Sequence, residues 1–381
     1  MYSGLGRHIE RLVAVLSDEA SRLQVVTDDQ HPAVCRSLAR AAGRANAAIT
    51  VLPAYPSPAT LDPEVPGLAR LAHSIQGPTT FVLNGWANAF AAEGLSEVRR
   101  ERPDSRLVFF PHYQTPLSVP MSDGQRSRIM GALGMVAAES DLVVHDSCDE
   151  SRAWERDVAA GGERAICHLG GWLDLPEEGD AGLRPGAGLG ALARHSSRFT
   201  VLMVADLNEW YRKGMDLFTL LAARSALVRA AGLPSPRFVV AGTMPRDARL
   251  RARCRHLRLM GVRFLGYVSE SELRRAYLEA DVYLMCSREE AYCIPVVEAL
   301  SAGCTVVARP IGIAPEVVVH GHNGVLCDSD LPADWWRAIS EASRLARSVP
   351  GAMIRQSVRD YDEAHARASL AHSLRPLLRI G

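Results

Sequence analysis

Lysine is almost missing from this 381-residue chain: Lys213 stands alone beside 42 arginines. A preference for arginine that spares one position points to a site needing a compact, flexible ammonium, of the kind that binds phosphate, rather than a planar guanidinium. Net charge is missing too. Forty-three cationic and forty-three anionic residues cancel, so no global field draws in nucleic acid, and none is expected as a partner. No apolar run approaches the ~18 residues of a membrane span. The opening MYSGLGRHIERL carries charges where a signal peptide would be apolar, so the expected location is the cytoplasm. Eight cysteines (35, 148, 167, 254, 286, 293, 304 and 327) include no C-x-x-C pair, which argues against both a disulfide framework and a zinc site.

What is present is a regular alternation. Short β-branched runs at 23–28, 48–53, 79–84, 106–111 and 141–146, then at 199–206, 237–242, 262–267, 281–287 and 305–310, predict strands. Helix-like stretches such as 125–139, 214–231, 271–280 and 332–348 lie between them. Strands that read as continuous apolar runs between helices predict α/β architecture with parallel sheets covered on both faces. A Gly/Pro-rich stretch separates the two series. The expected organisation is a first Rossmann-like domain over 1–178, a linker at 179–197, a second domain over 198–350 and C-terminal helices over 351–381.

The segment from Ser287 to Asp328 carries the densest chemistry. A strand ends in a loop bearing Glu289 and Glu290, Pro295 suits the first turn of a helix, and Gly303 suits its stop. The amides of Tyr292, Cys293 and Ile294 would then form an anion site at a helix N-terminus. Glu298 falls one turn inside that helix, and Glu290 addresses the other side of the same ligand. A diphosphate for the amides and vicinal hydroxyls for two carboxylates are what a nucleotide sugar offers.

Glu290 and Glu298, with GIAPE following at 312–316, resemble the E-x7-E signature of the retaining glycosyltransferases of GT-B fold, glycosyl transferases group 1 (family 4). VVAG ending at Gly242, FLGYVSESEL at 264–273, the Tyr277 and Asp281 pattern, SAGCTVVA and NGVLCD at 323–328 extend the resemblance, which is strong over 199–328 and weaker before it. It implies two Rossmann-like domains facing a cleft and transfer of a sugar from a nucleoside-diphosphate donor, with retention and a hexosyltransferase type of activity. In the family, the first glutamate stands near the donor sugar and the second on the ribose hydroxyls. VADLNEWYRKGMDLF resembles the element whose K-G lysine neutralises the donor phosphates, which maps onto Lys213. The family's arginine just after the strand is Asp206 here, and Arg212 is the candidate to supply the missing charge.

SGLGRHIERLVAVL resembles the family's glycine-rich loop, with Gly4 and Gly6 letting backbone approach the phosphates. In the family a β-strand precedes this loop. The chain begins at the loop, so that first strand is missing, and the expectation is a true start upstream of Met1. His112, in LVFFPHYQTP, resembles the cleft histidine near the sugar. Asp141 and Asp281 read as strand-start positions rather than catalysts. No D-x-D stands near a strand end in the second half, so no metal or other cofactor is expected beyond the nucleotide sugar itself. The expected acceptor is a small molecule or lipid-linked glycan, with peripheral membrane contact as a further partner. Two alternatives stand beside transfer: a degenerate nucleotide-sugar-binding protein and an epimerase on the same fold.

Overall fold

A computed structural model describes residues 24–27, 48–51, 80–84, 100, 103, 105–112, 122–158, 163–167 and 199–378. The chain divides into two compact units, one running to Leu169 and including Ala364–Gly381, the other spanning Gly170–Glu363.

In the first unit, β1 (Gln24–Thr27) and β2 (Ala48–Val51) form one parallel pair. The strands β3 (Thr80–Asn84), β4 (Arg106–Phe110), β5 (Leu142–His145) and β6 (Glu163–Ile166) form a parallel sheet in that order. Apolar residues alternate across it. Leu107, Phe109 and Val143 pack against helix α1 (Asp123–Glu139) and against Trp154 of α2 (Cys148–Asp157). The start of α2 is set by S-x-x-E chemistry: Ser147 accepts from the Glu150 amide, and Glu150 accepts from the Asp146 amide at 2.6 Å.

The second unit alternates strand and helix. Its elements are β7 (Thr200–Val204), α3 (Met215–Ala230), β8 (Arg237–Ala241), α4 (Ala248–Leu259), β9 (Arg263–Gly266) and α5 (Glu270–Glu279). They continue as β10 (Val282–Met285), α6 (Ile294–Ser301), β11 (Thr305–Ala308), the short α7 (Ala314–Val317), β12 (Gly324–Leu326), α8 (Pro332–Ser348) and α9 (Gly351–Gln356). The six strands form a parallel sheet in the order β12-β11-β10-β7-β8-β9. Both faces are buried, which is why the strands carry no polar alternation. Leu202, Tyr283 and Met285 enter the core under α5 and α6, while Val201, Met203 and Leu284 enter the one under α3 and α8. This is the doubly wound order, and the sideways progression of successive strands reverses between β7 and β10 while the strands stay parallel. The last helix, α10 (Glu363–Leu378), returns to the first unit, where Leu370 and Leu374 pack with Val108, Phe110 and Val144.

Asp281 and Asp141 clip strands together, as their positions suggest. The Asp281 carboxylate accepts from the Thr200 amide at 2.7 Å, and its own amide donates to Thr200 O. Asp141 repeats the arrangement on Leu107 at 2.8 Å. Five elements went unread in the sequence for physical reasons, the four-residue α7 among them. β6 is a solvent-facing edge strand without an apolar run, and β12 is only three residues long. The helices α2 and α4 are dominated by charge, with two buried positions each.

His145 ends β5 fully buried against Trp154, ring centroids 5.7 Å apart, and neither ring nitrogen has a hydrogen-bond partner among the described residues. Burial pushes its imidazole down to about 4, against the pull of Asp146 and with a smaller push from Arg164. The fold therefore holds His145 neutral. Its contribution is whole above pH ~6.5, where the unfolded residue is also neutral, and is lost as pH falls from there to about 4, a change on the order of 3 kcal/mol. His145→Leu should flatten the stability profile across that window in chemical denaturation. An unaltered slope would assign the acid sensitivity to another group.

Candidate functional site

The loops that leave β7 and β10 meet at the reversal point of the second unit's sheet, beyond the carboxyl ends of the strands. Ligands of doubly wound sheets bind there. Cross-links hold these two loops in register. The Arg288 amide donates to Arg212 O at 2.8 Å, the Arg288 side chain donates to Tyr211 O at 2.7 Å, and Arg212 donates to Glu289 O at 3.1 Å. Arg288 also grips Asp216 with two bonds of 2.8 and 2.7 Å and stacks over Tyr211, 4.2 Å from the ring centre. Spacing alone gives no hint of the Arg288–Asp216 pair, whose members lie 72 residues apart.

Within that frame, one buried carboxylate sits between two cations. Lys213 Nζ donates to Glu290 Oε1 at 2.6 Å, and Arg212 Nη1 lies 3.5 Å from Glu290 Oε2. Arg212 also donates to Glu209. Burial by itself would raise the Glu290 carboxyl. Lys213 and Arg212 outweigh it, with hydrogen bonds from Lys213 and Ser287, and hold it below the usual carboxylate range. Against the penalty of burial, Glu290 and Glu209 hold the Arg212 guanidinium above its ordinary value.

Asp206, where the family resemblance calls for arginine, shapes the loop instead. Its carboxylate accepts from the Asn208 amide at 3.0 Å and from the Asn208 side chain at 2.8 Å, capping a single 3-10 turn at Leu207–Glu209. The chain then delivers Arg212 inward, with only 12% of its side chain exposed. The turn closes at Gly214, whose φ of 65° is left-handed and whose missing Cβ leaves room for the Cys286 carbonyl. That close approach joins the two loops, so the glycine after Lys213 is a geometric requirement.

The third component is the N-terminus of α6. Pro295 in its first turn has no N–H, the Val296 amide donates to Cys293 O at 3.0 Å, and Cys293 at the N-cap provides no side-chain cap, so the Ile294 end of the helix and its dipole stay open to an anion. Cys293 is also one of two non-glycine residues with positive φ among those described, at 73°. Such strain clusters at ligand sites. Tyr292 O is held by the Ile313 amide at 2.7 Å, and Gly312, at φ 58°, lets that segment pass where a Cβ would come within 2.6 Å of Tyr292 O. Tyr292, Cys293 and Ile294 thus share the site with Lys213, Arg212 and Glu290. Glu298, one turn further in, is fully buried and accepts from the Tyr277 hydroxyl at 2.7 Å. A groove of about 410 Å³ lies elsewhere in the same unit, between α5 and the sheet, lined by Leu202, Val239, Arg263 and Arg275.

His112 belongs to the first unit. It follows β4 with a φ of 45°, the other positive-φ non-glycine residue, and its Nδ1 lies 2.5 Å from Asp146 Oδ2. An ionised carboxylate only accepts, so Asp146 places a proton on Nδ1. Asp146 carries no motif that marks it in the sequence. Gly4, Gly6 and Cys35 lie outside the described residues. Among the described residues, no three His, Cys, Asp or Glu side chains converge as a metal-binding group.

Residues 198–344 match the family described as glycosyl transferases group 1. This segment is a group 1 glycosyltransferase domain. The phosphatidylinositol N-acetylglucosaminyltransferase subunit of Arabidopsis thaliana is 35% identical over 151 residues, covering 39% of this chain and 32% of that protein. D-inositol 3-phosphate glycosyltransferase of Mycolicibacterium smegmatis is 34% identical over 166 residues, covering 42% of this chain and 36% of that protein. The chain therefore spans about a third of the length of the curated relatives it matches. Among solved structures, sucrose-phosphate synthase from Thermosynechococcus elongatus superposes with a TM-score of 0.68 at 15% identity, over 93% of this chain and 98% of that one. Anabaena Alr3699/HepE in complex with UDP and glucose superposes with a TM-score of 0.64 at 18% identity, over 98% and 96%. The fold is GT-B. The group 1 domain holds every candidate site residue described except His112.

Two outcomes follow from this geometry. Gly214→Ala should lower the stability of the group 1 domain by upwards of about 1–2 kcal/mol, because the left-handed backbone disfavours a Cβ and the Cys286 carbonyl occupies its place. A thermal melt unchanged from the parent would show that the two loops can separate at no cost. Glu290 contributes stability that is whole above the ordinary carboxyl value of ~4.3 and is lost as pH falls through its depressed folded value. Denaturation midpoints between pH 5 and pH 3 should therefore fall less steeply in Glu290→Gln than in the parent.

Proposed function

We propose that this protein is a glycosyltransferase, moving a sugar from a nucleoside-diphosphate donor to an acceptor hydroxyl. The observation that carries the reading is the position of the chain's single lysine. It stands with Arg212 on the Glu290 carboxylate, beside an uncapped helix N-terminus, at the reversal point of the sheet. The complex of Alr3699/HepE with UDP and glucose supports a nucleotide-sugar donor for this fold.

Donor binding exchanges one anion for another. Without donor, Glu290 and Glu209 compensate Lys213 and Arg212. The diphosphate takes over both cations and the amides of Tyr292, Cys293 and Ile294, and Glu290 turns to the hydroxyls of the donor sugar. Glu298, held by Tyr277, addresses the ribose. As the bond to the anomeric carbon breaks, negative charge grows on the diphosphate, where Lys213, Arg212 and the helix amides stabilise it without reorganising. His112, oriented by Asp146, is the residue of the first unit to which the family resemblance assigns a role near the sugar. The family resemblance implies retention, and no metal is expected because Lys213, Arg212 and the helix dipole would supply the phosphate charge compensation. The acceptor is a small molecule or a lipid-linked glycan.

Calorimetric titration with UDP, GDP, ADP and TDP, with and without EDTA, tests this reading. One of the four should bind saturably and insensitively to EDTA. Lys213→Ala should weaken that binding by about tenfold to a hundredfold, the worth of a charge-assisted hydrogen bond, and Lys213→Arg by less. Absence of binding by all four would sink the proposal. A retained nucleotide site without sugar transfer would favour a binding protein, and interconversion of the donor sugar would favour an epimerase.

A further inference from the structure

Helix α4 concentrates charge that the rest of this neutral chain balances. From Arg246 to Arg263, seven arginines (246, 249, 251, 253, 255, 258 and 263) face one aspartate, the N-cap Asp247. All seven are exposed. None is ion-paired to a carboxylate among the described residues, whereas Arg106, Arg288 and Arg337 elsewhere each hold an aspartate. Arg253 and Arg258 lean over the rings of Trp210 and Phe264, 5.7 and 5.4 Å from their centres, which leaves the guanidinium charge uncompensated.

The helix is also apolar along its outermost line. Leu250, Cys254 and Leu257 turn inward, and at 100° per residue the opposite direction carries Ala248, Ala252 and Leu259, with arginines on both flanks. Leu259 is 84% exposed. The C-terminal ends of α3 and α4 are joined where Arg229 donates to Met260 O at 2.6 Å, and two further exposed leucines, Leu227 and Leu233, bracket Arg229 in the chain.

We infer that α4, with the exposed leucines beside it, docks the protein on an anionic lipid surface, the arginines on headgroups and Leu259 below them. Unpaired cations flanking an apolar line are the pattern of a helix lying in a membrane interface. A nucleic-acid backbone would use the arginines but would gain nothing from the leucines, and α4 carries no Phe, Tyr or Trp as a stacking platform. The N-terminal end of α4 lies beside the loop that carries Arg212 and Lys213, where the Arg246 amide donates to Asn208 Oδ1 at 2.9 Å. The inference does not depend on the identity of the donor.

Flotation of the full chain with vesicles tests it. Binding is expected to phosphatidylcholine mixed with phosphatidylglycerol but not to phosphatidylcholine alone, and it should weaken with salt. Arg249→Gln/Arg251→Gln/Arg255→Gln should weaken binding by about a hundredfold, from roughly fivefold per cation. Leu259→Ser, with every arginine kept, should weaken it several-fold. Arg255→Glu alone should weaken it too, which keeps the test open if the triple variant melts early. Equal binding to both vesicle types, or a folded triple variant that binds like the parent, would overturn the inference. So would duplex DNA binding that the triple variant abolishes and Leu259→Ser leaves intact, with no vesicle binding.

Discussion

One buried carboxylate shared by two cations organises the second unit. Glu290 sits at the end of β10, and Lys213 and Arg212 arrive on the loop from β7, more than seventy residues earlier in the chain. In a buried setting each charge needs its partner, and losing one side of such an arrangement costs about 3–5 kcal/mol. The surrounding structure keeps that from happening by chance. Arg288 binds the backbone and side chains of the opposite loop, Gly214 lets the two chains touch, and Asp206 shapes the turn that sends Arg212 inward.

The same cluster shows how two cations proposed here for a phosphate can be held in the interior without standing bare. Two carboxylates, Glu290 and Glu209, compensate the two cations, next to the N-terminus of α6 and the positive end of its dipole. Glu298 belongs to a different layer of the design: it is buried and tied to Tyr277, so its position is set by core packing rather than by charge pairing. The two glutamates of one motif therefore have different physical constraints.

Reading the chain from its residues went furthest where burial on both faces leaves continuous apolar runs. The ten expected strands all form in the structure, and α8 spans 332–348 as its periodicity predicts. The signal failed where elements are short, edge-placed or charge-rich, as in β6, β12, α2 and α4, because hydrophobic periodicity reports burial and these elements bury little. Lys213, Arg212 and Glu290 were legible as candidates from composition and motif. Arg288, Asp216 and Asp146 were not, since each earns its place through a partner distant in sequence.

The sequence by itself determined the class of fold and the identity of the charged residues, because parallel sheets impose apolar runs and a solitary lysine is visible in any count. Only the tertiary structure decided which charges meet. Coulomb and hydrogen-bond interactions act over a few ångströms, and the distance between β7 and β10 is set by sheet order, in which strands far apart in the chain become neighbours. The direction of Arg212, the burial of Glu298 and the unpaired arginines of α4 are all consequences of that packing, and no local pattern of residues encodes them.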